Sequence, residues 1–374
     1  QAGYQVLLTD ISQESLTSAV ARIDQNMARQ VGRGKLAESD MKSAMARIET
    51  TLALSDLGAT DLVIEAATER ETVKHAIFED LIPHLQPHTI LTSNTSAISI
   101  TRRASRKDRP ERFMGFHCMN PVPVMQLVEL IRGIATDVAT FEACKEVVER
   151  LGKTSASAED FPGFIVNRIL LPYMNEAAYL FEEGIDTKRL DNVVKRFGMP
   201  MGPLELADEV GIDVGHHVAQ ILEAAYGDRM RVPTILKDVY EAGTLGKKSG
   251  EGFYIYTGKQ KKVSSKPRNM CKNATFTLDD DITRKRLIYV MINEASRCLE
   301  EGVVESASTI DVGMIYGTGF PPFRGGLLRY ADSVGVKHIV ADLKNFQDRF
   351  DQHRFEPSQL LLSMAETDDT FYPS

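Results

Sequence analysis

The sequence predicts an α/β protein, a Rossmann-like doubly wound sheet followed by two repeated all-α helical modules. Three observations carry that expectation. Short apolar runs alternate with helical stretches up to about residue 155, the pattern of strands joined by crossover helices. From Ile165 onward the chain is mostly amphipathic helix with Gly and Pro punctuation. That helical part also repeats itself. Arg168, Asn175-Glu176-Ala177 and Glu182-Glu183-Gly184 recur as Arg286, Asn293-Glu294-Ala295 and Glu300-Glu301-Gly302, each offset by 118 (286 minus 168). Ala207-Asp208-x-Val210-Gly211 recurs as Ala331-Asp332-x-Val334-Gly335. Two copies of one module are expected to pack face to face and bury what neither buries alone.

Taken in order, Gly3 followed by Tyr4 to Asp10 reads as a helix stop running into a strand. The expectation is a domain cut at its N-terminus, its first strand and Gly-rich loop missing. Residues 11–49 read as helical, capped by Ser12 or Asp10. Asp61 to Ala67 reads as a short buried strand, and 71–85 as a helix ending near Pro83 and Pro87. Thr89 to Asn94 and Phe113 to His117 read as further strands. Residues 258–281, rich in Lys and Ser, read as a solvated connector. The expected organisation is an incomplete nucleotide-binding domain over 1–157, a first helical module over 158–258, a linker over 259–280 and a second, degenerate module over 281–374.

Composition narrows the function. With 374 residues, 43% hydrophobic and 26% charged, the chain is an ordinary globular sequence of two or three domains. A formal net charge of -8 argues against a nucleic-acid-binding surface. No apolar run is long enough for a transmembrane helix. The four cysteines, Cys118, Cys144, Cys271 and Cys298, are scattered. No C-x-x-C pair occurs, so neither a metal site nor a disulfide scaffold is expected, and a reducing compartment suits them.

The chemistry-bearing residues fall in four places. Asp10 ends a strand, where an acid either accepts from the ribose hydroxyls of a dinucleotide or caps the next helix. Asn94-Thr95-Ser96 ends a strand at the carboxyl edge of the sheet, as ligand contacts or as a capping run. Between Phe116 and Leu130, His117 ends a strand, and Asn120-Pro121-Val122-Pro123 forces a turn. A second strand follows, in which Met125, Leu127, Glu129 and Ile131 share a face. Glu129 thus stands among apolar neighbours and needs a partner, for which His117 is the natural candidate. Such a pair serves either general-base chemistry or structure alone. Finally, Gly163 permits close backbone approach, and Asn167 sits in the first turns of a helix, to contact a substrate oxygen or to cap.

At these residues the chain resembles the L-3-hydroxyacyl-CoA dehydrogenases across nearly its full length. Ser93-Asn94-Thr95-Ser96, His117-x-x-Asn120-Pro121-Val122-Pro123 with Glu129, and Asp160-x-Pro162-Gly163-Phe164-x-x-Asn167-Arg168 match the family's signature segments in order. The doubled module and the stretch Tyr316 to Gly326 resemble the α subunit of the multifunctional fatty-acid oxidation complex. The resemblance implies an NAD-dependent enzyme that oxidises (3S)-3-hydroxyacyl-CoA to 3-oxoacyl-CoA. It implies His117 as general base, Glu129 as its orienting partner, and Ser96 and Asn167 as holders of the substrate oxygens and the nicotinamide end. Asp10, Thr68, Glu69, Lys74, Ser96 and Asn120 are implied NAD contacts, and Tyr316 a substrate contact. Also implied are an upstream enoyl-CoA hydratase domain, a thiolase β subunit as partner, and a bacterial cytoplasmic or mitochondrial matrix location. The rival expectations are a short-chain 3-hydroxybutyryl-CoA dehydrogenase and a non-catalytic crystallin-like relative. Two departures from the family stand out: the Gly-rich turn expected to meet the pyrophosphate is absent, and Cys118 stands where the family commonly has an aromatic residue. In the second copy Lys285 takes the place of Asn167 (285 minus 167 is again 118). The second copy is therefore expected to be structural.

Overall fold

The computed structural model describes residues 1–104, 109–271, 278–350 and 353–373. Its contacts divide the chain into two compact units, residues 1–155 and 156–374.

The first unit opens with β1 (Val6–Thr9) and α1 (Gln13–Gly32), followed by α2 (Glu38–Met45) and β2 (Ile48–Thr51). It continues through β3 (Leu62–Glu65), α3 (Glu71–Leu81), β4 (Ile90–Ser93), α4 (Ile100–Ala104), β5 (Phe113–Cys118), β6 (Leu127–Arg132) and α5 (Val138–Arg150). The boundary to the second unit falls within β7 (Thr154–Glu159). Residues 11–49 are thus not one helical stretch, as the sequence pattern suggests. The chain turns after α1, where Gly34 takes φ +66°, and the run Ile48 to Thr51, β-branched at all but Glu49, pairs in parallel with β1. Ser12 caps α1 by accepting from Ser15 N, whereas Asp10 accepts from Ser12 N at 3.1 Å.

The strands form two sheets, β1-β2 and β3-β4-β5-β6-β7, so β1 and β3 each stand at the end of their sheet. β3, β4 and β5 are parallel, and their crossovers carry α3 and α4. β6 runs antiparallel to β5, because the segment 119–126 is too short for the crossover of about a dozen residues that a parallel pair needs. Met114, Phe116, Val128 and Leu130 pack on one face of this pair against Phe141, Cys144 and Val148 of α5. The period-two alternation puts Gly115, His117, Glu129 and Ile131 on the other face, where a Cβ at Gly115 would stand 2.7 Å from Ile131 Cβ and 3.2 Å from Ile100 Cδ1.

The second unit is helical. It contains α6 (Val166–Glu182), α7 (Thr187–Phe197), α8 (Pro203–Val210), α9 (Ile212–Tyr226), α10 (Thr234–Glu241) and a hairpin of β8 (Tyr254–Thr257) and β9 (Gln260–Val263). Then follow α11 (Lys266–Met270), α12 (Asp280–Glu300), α13 (Ala307–Thr318), α14 (Leu327–Val334), α15 (Val336–Phe350) and α16 (Gln359–Thr367). The segment 259–280 therefore contains β9 and α11, and its residues 272–277 lie outside the described residues.

The sequence repeat is realised as reciprocal contacts. Arg168 of α6 donates to Glu294 at 2.8 Å and to Glu301 at 2.6 Å; Arg286 of α12 donates to Glu176 and Glu183, each at 2.6 Å. Each arginine thus bonds the other copy's equivalents of one pair of glutamates. The local architecture repeats as well. Asp191 accepts from Leu204 N and the Tyr254 hydroxyl, and Asp311 accepts from Leu328 N and the Tyr372 hydroxyl. Gly202 and Gly326 precede α8 and α14, and a Cβ on either would collide with the aspartate of its own copy.

Candidate active site

The polar residues singled out in the first unit collect where strands end. Asp10 follows β1, Thr68 and Glu69 follow β3, Asn94-Thr95-Ser96 follows β4, and His117 is near the end of β5. These are the carboxyl ends of parallel strands, where backbone N–H groups and side chains face outward and ligands of doubly wound sheets bind.

His117 and Glu129 are directly opposed in the β5–β6 register. Their side chains meet: His117 Nδ1 lies 2.6 Å from Glu129 Oε2, with the carboxylate fully buried and the imidazole one-tenth exposed. A carboxylate only accepts, so the bond places the proton on Nδ1 and the basic lone pair on Nε2. The pairing follows from the turn and the alternation. The hairpin brings the strands together, and the residues flanking it share the face opposite the apolar core against α5.

Glu69 organises the loop after β4. It accepts from Ser96 N at 2.5 Å, from Ser96 Oγ at 2.6 Å and from Thr95 Oγ1 at 3.0 Å. Burial disfavours its charge, but these donors and the Lys74 ammonium outweigh it and hold the carboxyl below the usual range. Ser96 is thereby fixed beside Glu69. Asn94 Oδ1 accepts from Cys118 N at 2.7 Å, tying the same loop to the end of β5.

Beneath this loop lies a charge cluster that the sequence pattern did not single out. Glu65, the last residue of β3, accepts from Lys74 Nζ at 2.8 and 2.9 Å and from Ser93 Oγ at 2.7 Å; Arg103 donates to Ser93 Oγ at 2.7 Å. Lys74, expected at a cofactor surface, is almost wholly buried, with its ammonium on Glu65 and 3.9 Å from Glu69. The available signal was an acid closing an apolar strand, which requires a counter-charge. Thr68 is exposed and accepts from Arg70 N at 3.3 Å, and Asp10 is exposed at the end of β1. Asn120 is exposed in the segment between β5 and β6.

Asn167 and Tyr316 belong to the second unit, at the start of α6 and in α13, with Tyr316 exposed. Gly163 precedes α6 at φ +80°, where a Cβ would stand 3.0 Å from Arg168 N, so the close approach expected there is real. Lys285 in the second copy pairs with Asp342 at 3.0 Å. Among the described residues no cluster of His, Cys, Asp and Glu suits a metal ion, and no helix is long and apolar enough to cross a membrane.

Known proteins place this arrangement. Residues 1–161 match the 3-hydroxyacyl-CoA dehydrogenase NAD-binding domain, and residues 163–256 and 283–370 match the C-terminal domain of the same family. A fatty acid oxidation complex subunit alpha from Pseudomonas savastanoi pv. phaseolicola is 38% identical over 99% of this chain and 52% of its own length. The chain thus spans about half the length of the curated relatives it matches. The crystal structure of 3-hydroxybutyryl-CoA dehydrogenase from Escherichia coli K12 is similar over 98% of this chain and 94% of that one, with 30% identity and a TM-score of 0.86. The dehydrogenase part of multifunctional enzyme 1 from C. elegans covers 97% of this chain and 84% of its own, at 25% identity and a TM-score of 0.64. A Rossmann-like unit that matches an NAD-binding domain, a doubled helical unit and these relatives together show that the chain belongs to the 3-hydroxyacyl-CoA dehydrogenase family.

Proposed function

We propose that the protein containing this chain oxidises the hydroxyl of (3S)-3-hydroxyacyl-CoA to 3-oxoacyl-CoA with NAD in fatty-acid β-oxidation. The observation that carries this reading is the buried His117–Glu129 bond at the carboxyl end of β5 in a chain of this family. In the reaction NAD supplies the hydride acceptor. His117 Nε2 takes the hydroxyl proton as the hydride leaves the same carbon, so proton and hydride together account for the two hydrogens lost. Glu129 holds the imidazole in the tautomer that exposes Nε2 and stabilises the imidazolium that forms. Ser96 and Asn167 are assigned to the substrate oxygens and Tyr316 to substrate.

The residues suit the cofactor. Asp10 is an exposed carboxylate at the end of β1, the acceptor a ribose diol needs and a repellent for a 2′-phosphate. Glu69 is ionised among hydroxyl donors. Thr68, Ser96 and Asn120 complete the proposed set of contacts, and Lys74, buried on Glu65, serves the cofactor through the charge it places 3.9 Å from Glu69. The relatives' name, subunit alpha of a complex, supports a partner subunit, for which a thiolase β subunit is our proposal, and a cytoplasmic location suits four free cysteines.

A second reading is supported by the 3-hydroxybutyryl-CoA dehydrogenase, which matches nearly end to end. The test is a series of 3-hydroxyacyl-CoA substrates of increasing length, assayed with NAD and with NADP. Turnover that holds or rises with chain length supports the broad reading, and turnover confined to four carbons supports the short one. No NAD-linked turnover at any length removes both and leaves a non-catalytic relative.

A further inference from the structure

The segment joining His117 to Glu129 is braced by a side chain that none of the roles above uses. α5 ends in a tight turn: Leu151 N, Gly152 N and Lys153 N donate to Val147, Glu149 and Val148 carbonyls, and Gly152 takes φ +69°. That turn delivers Lys153 to the segment 119–126. Its ammonium donates to Val122 O at 2.8 Å and to Met125 O at 2.6 Å. Thr154 N adds a bond to Gln126 O at 2.9 Å. The segment's own bonds are few and local, from Val124 N and Met125 N to Pro121 O. Val122 and Val124 are exposed apolar residues, so packing does little to hold them. A cation that bridges two carbonyls across this turn is its main anchor, since charge-assisted bonds are about twice as strong as neutral ones.

The ammonium is also close enough to Cys118, the residue after His117, to oppose the upward push of burial on that thiol. Its bonds to Val122 O and Met125 O hold the middle and the end of the segment that carries Asn120.

We propose that Lys153 is a positioning residue: it fixes the 119–126 segment, and through it Asn120, in the conformation that receives the cofactor beside His117. This rests on the dehydrogenase reading. The residue acts through backbone carbonyls and touches no reacting atom, so its loss should weaken cofactor binding more than the chemical step. A methionine keeps most of the stem and removes the charge; an arginine can fork between the two carbonyls and should restore the brace.

The experiment compares the full chain with Lys153→Met and Lys153→Arg by three measurements. These are hydrogen exchange of the Val124 and Met125 amides, NADH affinity by fluorescence titration, and kcat against KM for NAD. Lys153→Met should speed exchange in 119–126 by roughly tenfold or more and weaken NADH by a similar factor, as loss of charged bonds implies, with a smaller change in kcat. Lys153→Arg should recover most of both. Unchanged exchange in the Met variant overturns the brace. Faster exchange with unchanged NADH affinity overturns the positioning role. Absence of turnover in the wild type, with loop exchange responding as expected, overturns the dehydrogenase reading while the brace stands.

Discussion

His117 shows how much one side chain's role depends on its neighbour. An imidazole by itself is a moderate base with two accessible tautomers, and the buried Glu129 carboxylate at 2.6 Å selects one. His117→Ala should lower kcat by about 10²–10⁴-fold, the usual range for a general base, with little change in NADH binding. Glu129→Gln should lower kcat with less effect on NADH binding, because the carboxylate acts through the tautomer of the imidazole. Unchanged kcat in the Gln variant would show that the two groups are uncoupled in turnover. The pair was legible in the sequence, since proline fixes the turn and a period of two fixes the face. The companion arrangement at Glu69 was not. Nothing in the spacing of Glu69 and Ser96 reveals that one carboxylate accepts both the N–H and the hydroxyl of the other. Lys74 entered only as an NAD contact implied by resemblance, because its burial against Glu65 depends on where α3 packs.

At the scale of elements, the repeated aspartates set the joins between helices. Asp191 accepts from Leu204 N at the start of α8 and from the Tyr254 hydroxyl of β8, so one carboxylate ties α7, α8 and the hairpin together. Burial pushes its carboxyl up to about 6, and nearby Asp208 is likewise pushed up to about 6. The folded form thus binds the proton more tightly than the unfolded chain, whose aspartates titrate near 3.8. Stability from this source is greatest below about pH 4, falls as pH rises to about 6, and is level above that. Asp191→Asn cannot titrate. The unfolding free energy of the wild type relative to this variant should decline between pH 4 and 6.5 by up to about 3 kcal/mol, read by urea denaturation of the full chain. A difference that stays flat, or that grows with pH, contradicts the assignment. The elements themselves were partly legible. The strands at β3, β4 and β5 lie where apolar runs predict them, but β2 and β9 do not announce themselves. Both are mostly polar, Ile48-Glu49-Thr50-Thr51 and Gln260-Lys261-Lys262-Val263, and lack the apolar run that marks the equally short β3 and β4, so each exists because a partner strand lies beside it.

For the whole molecule, the second unit is organised by its own duplication. Arg168 and Arg286 are fully buried, and each bonds glutamates of the opposite copy. Removing either cation takes a buried glutamate's main partner and leaves it to a neighbouring arginine, Arg229 at Glu294 and Arg354 at Glu176, a loss of up to about 3 kcal/mol. Arg168→Met and Arg286→Met should therefore each lower the urea midpoint of the unit by comparable amounts, because the contacts are reciprocal. A harmless substitution at one position and a severe one at the other would show that the repeat is not an energetic symmetry. The copies nevertheless differ in chemistry. Lys285 occupies the place of Asn167 and is held by Asp342, which fits a second copy retained for packing.

The sequence by itself determined the α/β-then-helical architecture, the duplication, the pairing of His117 with Glu129 and the family. Each of these is written in local spacing: alternation, proline and glycine punctuation, or a recurrence at fixed offset. Only the tertiary structure decided that β1 and β2 form a sheet apart from β3 to β7, that β6 reverses direction, and that Glu65, Lys74 and Arg103 share one buried cluster. It alone gave Lys153 its two carbonyls. The physical reason is common to all of these. A residue's periodicity fixes which way it faces, whereas its hydrogen-bond partner is fixed by whichever distant segment the packing of the core brings against it.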